Sequence, residues 1–298
     1  MRVLSLFDGF SGARIALERA WFDVEKYYAS EIDKYAIKVA QENYPDTVQL
    51  GDVTKLADTL SVSPRKFGEI DLLVGGSPCK GFSYAGKQLN FDDPRSKLFF
   101  DYVRILNAVK PKYFLLENVR MKQEYQNVIS DMLGVDPIMI NSALVSAQNR
   151  KRLYWTDIPW VTQPADRGVV LDDVLFHFHN NYFKVDVNTL LLSEKAINYM
   201  NKKVSGGRDH WDFHHHSDVR DKKSQTVVAN FFRGVPYNVL KDWWCIRKFH
   251  PIECERLQTV PDNYTNHVSN TQRYKMLGNG FTIDVIAHIL KNIKETSK

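Results

Sequence analysis

Four short segments carry residue types able to do covalent, acid–base or ligand-binding chemistry. In Gly75-Gly76-Ser77-Pro78-Cys79-Lys80-Gly81-Phe82-Ser83 a cysteine lies just past an apolar run, in a loop shaped by proline and glycine. So glycine-rich a segment does not pack as a core, and the Lys80 ammonium favours a thiolate. Cys79 is therefore a candidate nucleophile, the alternative being a small buried hydrophobe. Leu115-Leu116-Glu117-Asn118-Val119 ends a second apolar run in a carboxyl group. Partial desolvation suits Glu117 to hold and donate a proton; the alternative is a carboxylate that caps a helix. Gln148-Asn149-Arg150-Lys151-Arg152 lies in a stretch, Ser142 to Thr156, that contains no acid. Side chains alternate in an extended chain, so Arg150 and Arg152 can converge on one site, unless this is a solvated basic turn. Finally, Phe7-Asp8-Gly9-Phe10-Ser11-Gly12 is a glycine-containing turn that lets a ligand approach the backbone.

The elements around these segments alternate. Val3–Phe7, Tyr27–Ser30, Val48–Leu50, Ile70–Val74 and Tyr113–Leu116 read as strands, with Ile138–Ile140 and Leu153–Trp155 as two more. Ala13–Ala20, Asp33–Asn43 and Lys97–Val109 read as helices, the first with Ser11 as its N-cap. This alternation implies βαβ units and an α/β fold: a mostly parallel sheet with helices on both faces. Ligands in such sheets sit beyond the carboxyl ends of the strands, where the polar segments fall. Glu31 ends the second strand and could accept from a ribose diol. Asp52 follows the third and could accept from an adenine amino group. With the Phe7–Gly12 turn, these acids favour an adenosine-containing ligand, although either could cap a helix instead. The Gly-Lys-Ser/Thr phosphate loop is absent, which disfavours nucleotide triphosphate hydrolysis.

Beyond Pro159 the periodicity weakens. We divide the chain into residues 1–163 as a first domain, 164–244 as a smaller irregular one, and 245–298 as a C-terminal segment that returns to the first. Lys222–Val228 could be a strand, Pro251–Leu257 a helix opened by proline, and Phe281–Ile293 a closing helix. The 298 residues carry 40 Lys+Arg against 35 Asp+Glu, a formal net charge of +5. That permits nucleic-acid binding without arguing for it, since no segment is a basic tail. Three cysteines are too few for a disulfide scaffold or a four-thiolate zinc site, and no apolar run approaches the length of a membrane span. We expect a soluble protein of a reducing, cytoplasmic compartment. His210, His214, His215 and His216 lie among Asp209, Asp212 and Ser217 and read as a solvated loop; no metal site is expected. Cys245 and Cys254 read as structural.

Taken in order, the segments resemble the motifs of the DNA cytosine-C5 methyltransferases. Phe7-Asp8-Gly9-Phe10-Ser11-Gly12 matches the S-adenosylmethionine motif, Pro78-Cys79 the nucleophile, Glu117-Asn118-Val119 the acid, and Gln148 to Arg152 the arginine pair. Arg247 to Gln258 resembles the family's penultimate motif, and Gly278-Asn279-Gly280 opens its last one. The match covers nearly the whole chain outside about residues 164–220. It is strongest to the compact bacterial and phage enzymes, and the catalytic half also resembles the mammalian de novo DNA methyltransferases.

The resemblance implies covalent attack on cytosine C6 by Cys79. Glu117 would act at N3 and Arg152 at O2, with Arg150 positioning Arg152 or the loop. Phe7 would stack on the donor's adenine, with Asp8, Gly9, Phe10, Ser11 and Gly12 shaping that turn. Glu31 and Ile32 would meet the ribose side, Asp52 and Val53 the adenine edge. Pro78 and Leu98 would line the pocket, and Asn279 would close it. Lys80, Ser83, Gln148 and Thr226 would contact DNA, with 164–244 as the target-recognition domain. The implied partner is double-stranded DNA, entered by a monomer that flips one base, with a cognate restriction endonuclease as a further partner. Two positions depart from the family pattern: Lys80 where glutamine is common, and Gly280 where serine or alanine is. Competing functions are the same chemistry on transfer RNA, an inactive DNA-binding homologue, and methylation of a free nucleotide. The Cys-Phe-Thr motif of the tRNA-methylating branch is absent, the four catalytic side chains are all present, and a free nucleotide needs no separate recognition domain.

Overall fold

A computed structural model describes residues 1–78, 94–176, 190–200, 222–231, 239–241 and 246–295. Cys79, Lys80 and Ser83 therefore lie outside the described residues, as do His210, His214, His215, His216 and Cys245. The chain divides into two compact units. Unit one is Met1–Asn141, Lys151–Gln163 and Ile283–Lys298; unit two is Ser142–Arg150 and Pro164–Thr282. Compactness thus parts the C-terminal segment at Thr282, whereas the sequence division kept 245–298 together.

Unit one holds strands β1 (Arg2–Leu6), β2 (Lys26–Ser30), β3 (Val48–Gln49), β4 (Leu72–Gly76), β5 (Tyr113–Val119), β6 (Ile138–Asn141) and β7 (Lys151–Thr156). Between the first five run helices α1 (Gly12–Arg19), α2 (Lys34–Asn43), α3 (Val53–Val62) and α4 (Pro94–Val109); α5 (Gln123–Leu133) follows β5. The sheet order is β3-β2-β1-β4-β5-β7-β6. The first five strands are mutually parallel, and β7 inserts antiparallel between β5 and β6. Strand order reverses beside β1, which leaves a crevice at the carboxyl ends of β1 and β4.

Both sheet faces are covered, as parallel sheets require. Leu4, Leu6, Leu73 and Leu116 join Leu56, Leu60, Phe99, Tyr102 and Ile129 in one core, bringing in α3, α4 and α5. The alternate residues Val3, Leu72, Val74 and Leu115 are fully buried on the other side.

Two strands run further than their sequence suggests. Gly75-Gly76 reads as a stop, yet both lie within β4, where Gly75 pairs with Leu6. A Cβ on Gly75 would stand 2.7 Å from the Leu6 carbonyl oxygen, so only glycine lets β1 and β4 come this close. Likewise β5 continues through Glu117-Asn118-Val119 because β7 pairs with it there.

In unit two the described elements are the 3-10 turn Ser142–Leu144, α6 (Leu171–Val174), α7 (Glu194–Met200), β8 (Val239–Lys241), β9 (Ile246–Lys248), α8 (Pro251–Leu257) and α9 (Asn270–Asn279). α10 (Ile283–Glu295) returns the chain to unit one, where it packs on α1 and Asp284 meets Arg19 at 2.6 Å. The expected strand at Lys222–Val228 does not form; Ser224 makes only an isolated bridge to Gln148. Two ion pairs are buried here. Arg247 grips Glu253 through both guanidinium nitrogens, at 2.8 and 2.9 Å, and Arg273 meets Glu255 at 2.9 Å. Backbone N–H groups of Phe176 and His250 complete Glu253, and those of Asn263 and Thr265 complete Glu255. Cys254 lies between these acids, and burial pushes its thiol well up, which leaves it unreactive and structural.

Candidate active site

The turn after β1 is built on left-handed backbone. Phe7, Gly9 and Ser11 have φ of 56°, 62° and 63°. Ser11 takes the N-cap position of α1 but does not cap it; its hydroxyl donates instead to the Asp8 carboxylate at 2.7 Å. Tyr27 on β2 donates to the other carboxylate oxygen at 2.7 Å. Burial pushes the Asp8 carboxyl up to about 6, against the pull of these donors. Just past β2, Glu31 accepts from the Gly9 N–H and from those of Ile32 and Asp33, each at 2.8 Å. The turn is thus held from below by Tyr27 and from the side by Glu31.

The open positions lie around this frame. A Cβ on Gly9 or Gly51 would meet nothing within 4 Å. Ile32 is 75% exposed, unusual for so apolar a side chain. Phe7 and Leu98 are partly buried against the same core. Asp52 caps α3 through one oxygen, which accepts from the Thr54 N–H and hydroxyl at 2.9 Å and holds the carboxyl below its ordinary range. Among the described residues no partner meets its other oxygen. A hydroxyl or amino donor, an apolar ring and a close approach to the backbone are what this surface accommodates, which fits an adenosine group. Phe10, Ser11, Gly12 and Val53 are buried, so their part is to shape the turn and the start of α3. The N-cap of α2 is Asp33, which leaves Glu31 clear of that alternative.

The second cluster stands at the end of β5. Glu117 and Arg152 come from adjacent antiparallel strands and point to the same side, their charged atoms 2.9 Å apart. Both side chains are mostly buried, at 12% and 15% exposure, so the pair is only lightly screened. Gly76 lies beside Glu117 in the parallel register of β4 and β5. The chain leading to residue 79 therefore emerges next to this pair. Asn118 secures it: its amide donates to the Ser77 hydroxyl at 3.2 Å, while its own carbonyl oxygen accepts from the Val119 N–H. Sequence reasoning quoted Asn118 without giving it a task, and Tyr27 offered no signal at all.

In unit two, Gln148 and Arg150 are bound to buried neighbours. Gln148 is fully buried, and its amide donates to the Leu257 carbonyl and the Gln258 side chain while accepting from the Val227 N–H. It is not placed to touch DNA. Arg150 precedes β7, is 2% exposed, and gives its guanidinium to the carbonyls of Val227, Gly278 and Gly280. It is a tie between backbone segments, not a group presented to a substrate. The alternation argument failed because the strand begins only at Lys151. Gly278 is needed in this tie, since a Cβ would stand 2.2 Å from the backbone of Val228 and Ala229. Gly280 has φ −77°, open to any residue, so its glycine freedom is not used. Asn279 is exposed between them, and Thr226 donates to the Asn149 carbonyl at 2.5 Å. Among the described residues no group of three or more His, Cys, Asp or Glu could hold a metal, and no helix is long and apolar enough to cross a membrane.

Comparison with known proteins gives these features a context. The family model described as C-5 cytosine-specific DNA methylase matches residues 1–229 and 176–295. The type II methyltransferase M1.ScrFI of Lactococcus lactis subsp. cremoris is 29% identical over 100% of this chain and 79% of its own length. M.NlaX of Neisseria lactamica is 29% identical over 98% and 96%. Among solved structures, the S. pombe Dnmt2 methyltransferase superposes with a TM-score of 0.75 over 100% of this chain and 99% of its own, at 19% identity, a likeness of fold.

Proposed function

Because the chain belongs to the C-5 cytosine-specific DNA methylase family and is a DNA (cytosine-5-)-methyltransferase, we propose which of its residues carry the reaction. One observation supports the assignment above others: the Glu117–Arg152 pair lies beside the strand end from which the chain runs to Pro78 and Cys79.

Cytosine C5 is a poor nucleophile. The Cys79 thiolate adds to C6, forming a C–S bond and turning the ring into an enamine whose C5 is electron-rich. Glu117 in its protonated form donates to N3 as negative charge develops there, Arg152 donates to O2, and their mutual contact keeps each aimed at the same ring edge. Asn118 holds the approach of the Cys79 segment through Ser77. S-adenosylmethionine, when bound, would supply an electrophilic methyl group to C5, its S–CH3 bond breaking to leave S-adenosylhomocysteine. Loss of the C5 proton and rupture of the C6–S bond then return Cys79 and the aromatic ring. Phe7, Glu31, Ile32 and Asp52 hold the donor's adenosine, and Leu98 and Pro78 border it.

The target is a cytosine flipped from double-stranded DNA. Residues 164–244 select the sequence, with Lys80, Ser83 and Thr226 at the DNA. The protein works as a monomer in the cytoplasm of a bacterial or phage-infected cell. The relatives' type II names support a partner endonuclease, although two phage relatives are named orphan methyltransferases.

Labelled donor and genomic DNA, followed by base-resolution mapping, identify the preferred site. An oligonucleotide bearing 5-fluorocytosine there should trap a denaturation-resistant adduct, and Cys79→Ser should abolish both the adduct and methyl transfer. Transfer at a normal rate by the serine variant would exclude the mechanism.

A further inference from the structure

We infer that Tyr27 is a positioning residue for the methyl donor, acting through Asp8 on the Phe7–Gly12 turn. The inference rests on the donor site proposed above.

Left-handed backbone at Phe7 and Ser11 is costly for residues with a Cβ. Something must hold them there, and the Asp8 carboxylate is the centre of what does. It sits between the two strained residues, is 6% exposed, and accepts from Ser11 on its own turn and from Tyr27 on the neighbouring strand. Ser11 moves with the turn, so it cannot anchor it. Tyr27 can: it is fully buried, and its residue pairs with Val3 in the β1–β2 ladder. Tyr27 and Glu31 are four residues apart and grip the turn at adjacent residues, Asp8 and Gly9. Glu31 is thereby tied to the same frame that Tyr27 fixes. Losing the Tyr27 hydroxyl frees Asp8, then the Phe7 ring and the Gly9 bond to Glu31.

The charged and titratable groups around Asp8 set the expected pH behaviour. Glu31 is a like charge that opposes its ionisation; the hydroxyls of Ser5, Tyr27 and Ser11 favour it. The Arg14 guanidinium on α1 lies 5.5 Å from the Tyr27 ring centre and is itself paired with Asp46. Ionised Asp8 offers both oxygens as acceptors. Protonation turns one into a donor and breaks one of the two bonds, so donor affinity falls as the pH drops through the Asp8 range. Deleting the Tyr27 hydroxyl removes a bond to the charged form and moves that midpoint upward.

The test is Tyr27→Phe, which keeps the buried ring and removes one oxygen. Calorimetry with S-adenosylmethionine, from pH 5 to 8, should show about tenfold weaker binding at pH 7 and a midpoint displaced to higher pH. At saturating donor, turnover and the KM for DNA should match the parent. Asp8→Asn should flatten the pH dependence altogether. Unchanged donor affinity and pH profile in Tyr27→Phe, with the parent binding normally, overturns the inference. So does a loss shared equally by donor and DNA, which would mark a general structural role. Failure of the parent itself to bind the donor overturns instead the site reading on which the inference rests.

Discussion

At the scale of single residues, Glu117 and Arg152 meet each other at the end of β5, whereas Gln148 and Arg150 are bound to buried neighbours. Glu117 and Arg152 were legible because a carboxyl group ending an apolar run and an arginine in an acid-free stretch are chemical signals. Gln148 and Arg150 carry equally polar side chains, and nothing in the sequence tells a displayed guanidinium from one that binds three buried carbonyls. Asp8 shows the cost of such placement. Its carboxyl moves from 3.8 to about 6 on folding. Between those values the folded chain holds a proton that the unfolded chain has released, so stability rises as pH falls from 6 towards 4. Above 6 the penalty is present in full, about 3 kcal/mol. Asp8→Asn keeps an acceptor for Tyr27 without the charge. It should raise stability at pH 7 by about 1–3 kcal/mol, with little effect at pH 4, as measured by urea denaturation at both values. The same variant should bind the donor less tightly, trading function for stability.

At the scale of elements, the βαβ alternation in residues 1–116 predicted the parallel strands. The helices α3 and α5 went unread although Val53, Leu56, Ala57 and Leu60 in the one, and Tyr125, Ile129 and Leu133 in the other, mark a buried face at helical spacing. Strand ends were misjudged where tertiary contact overrides propensity: glycine in β4 is demanded by the approach of β1, and Glu117 in β5 by pairing with β7. Gly75→Ala should therefore force the two strands apart at the residue before the Phe7 turn. The expected loss is about 1–3 kcal/mol of stability, read by denaturant titration, with weaker donor binding in calorimetry. Retained stability would show that the strands can separate without cost.

At the scale of the whole molecule, composition bounded the class, and ordered motifs supplied the family. Domain limits were less legible, because a segment's compact neighbours depend on contacts that local periodicity does not encode. Unit two invests in buried charge: Arg247–Glu253 and Arg273–Glu255 are each completed by backbone donors. Removing one partner strands the other in a dry interior. Glu253→Ala should cost about 3–5 kcal/mol and, if the units unfold separately, should lower only the melting transition of unit two in scanning calorimetry.

Helix α10 adds a constraint of a different kind. Its residues Ile283, Ile286, Ile289, Leu290 and Ile293 are buried in unit one, although Ser142–Arg150 and Pro164–Thr282 belong to unit two. A ribosome delivers α10 only after the whole of unit two. Until it arrives, the nascent first unit waits with an uncovered apolar groove along α1. Maturation of the amino-terminal half is consequently tied to synthesis of all of unit two, and a product truncated before Ile283 would be a natural client for chaperones and proteases.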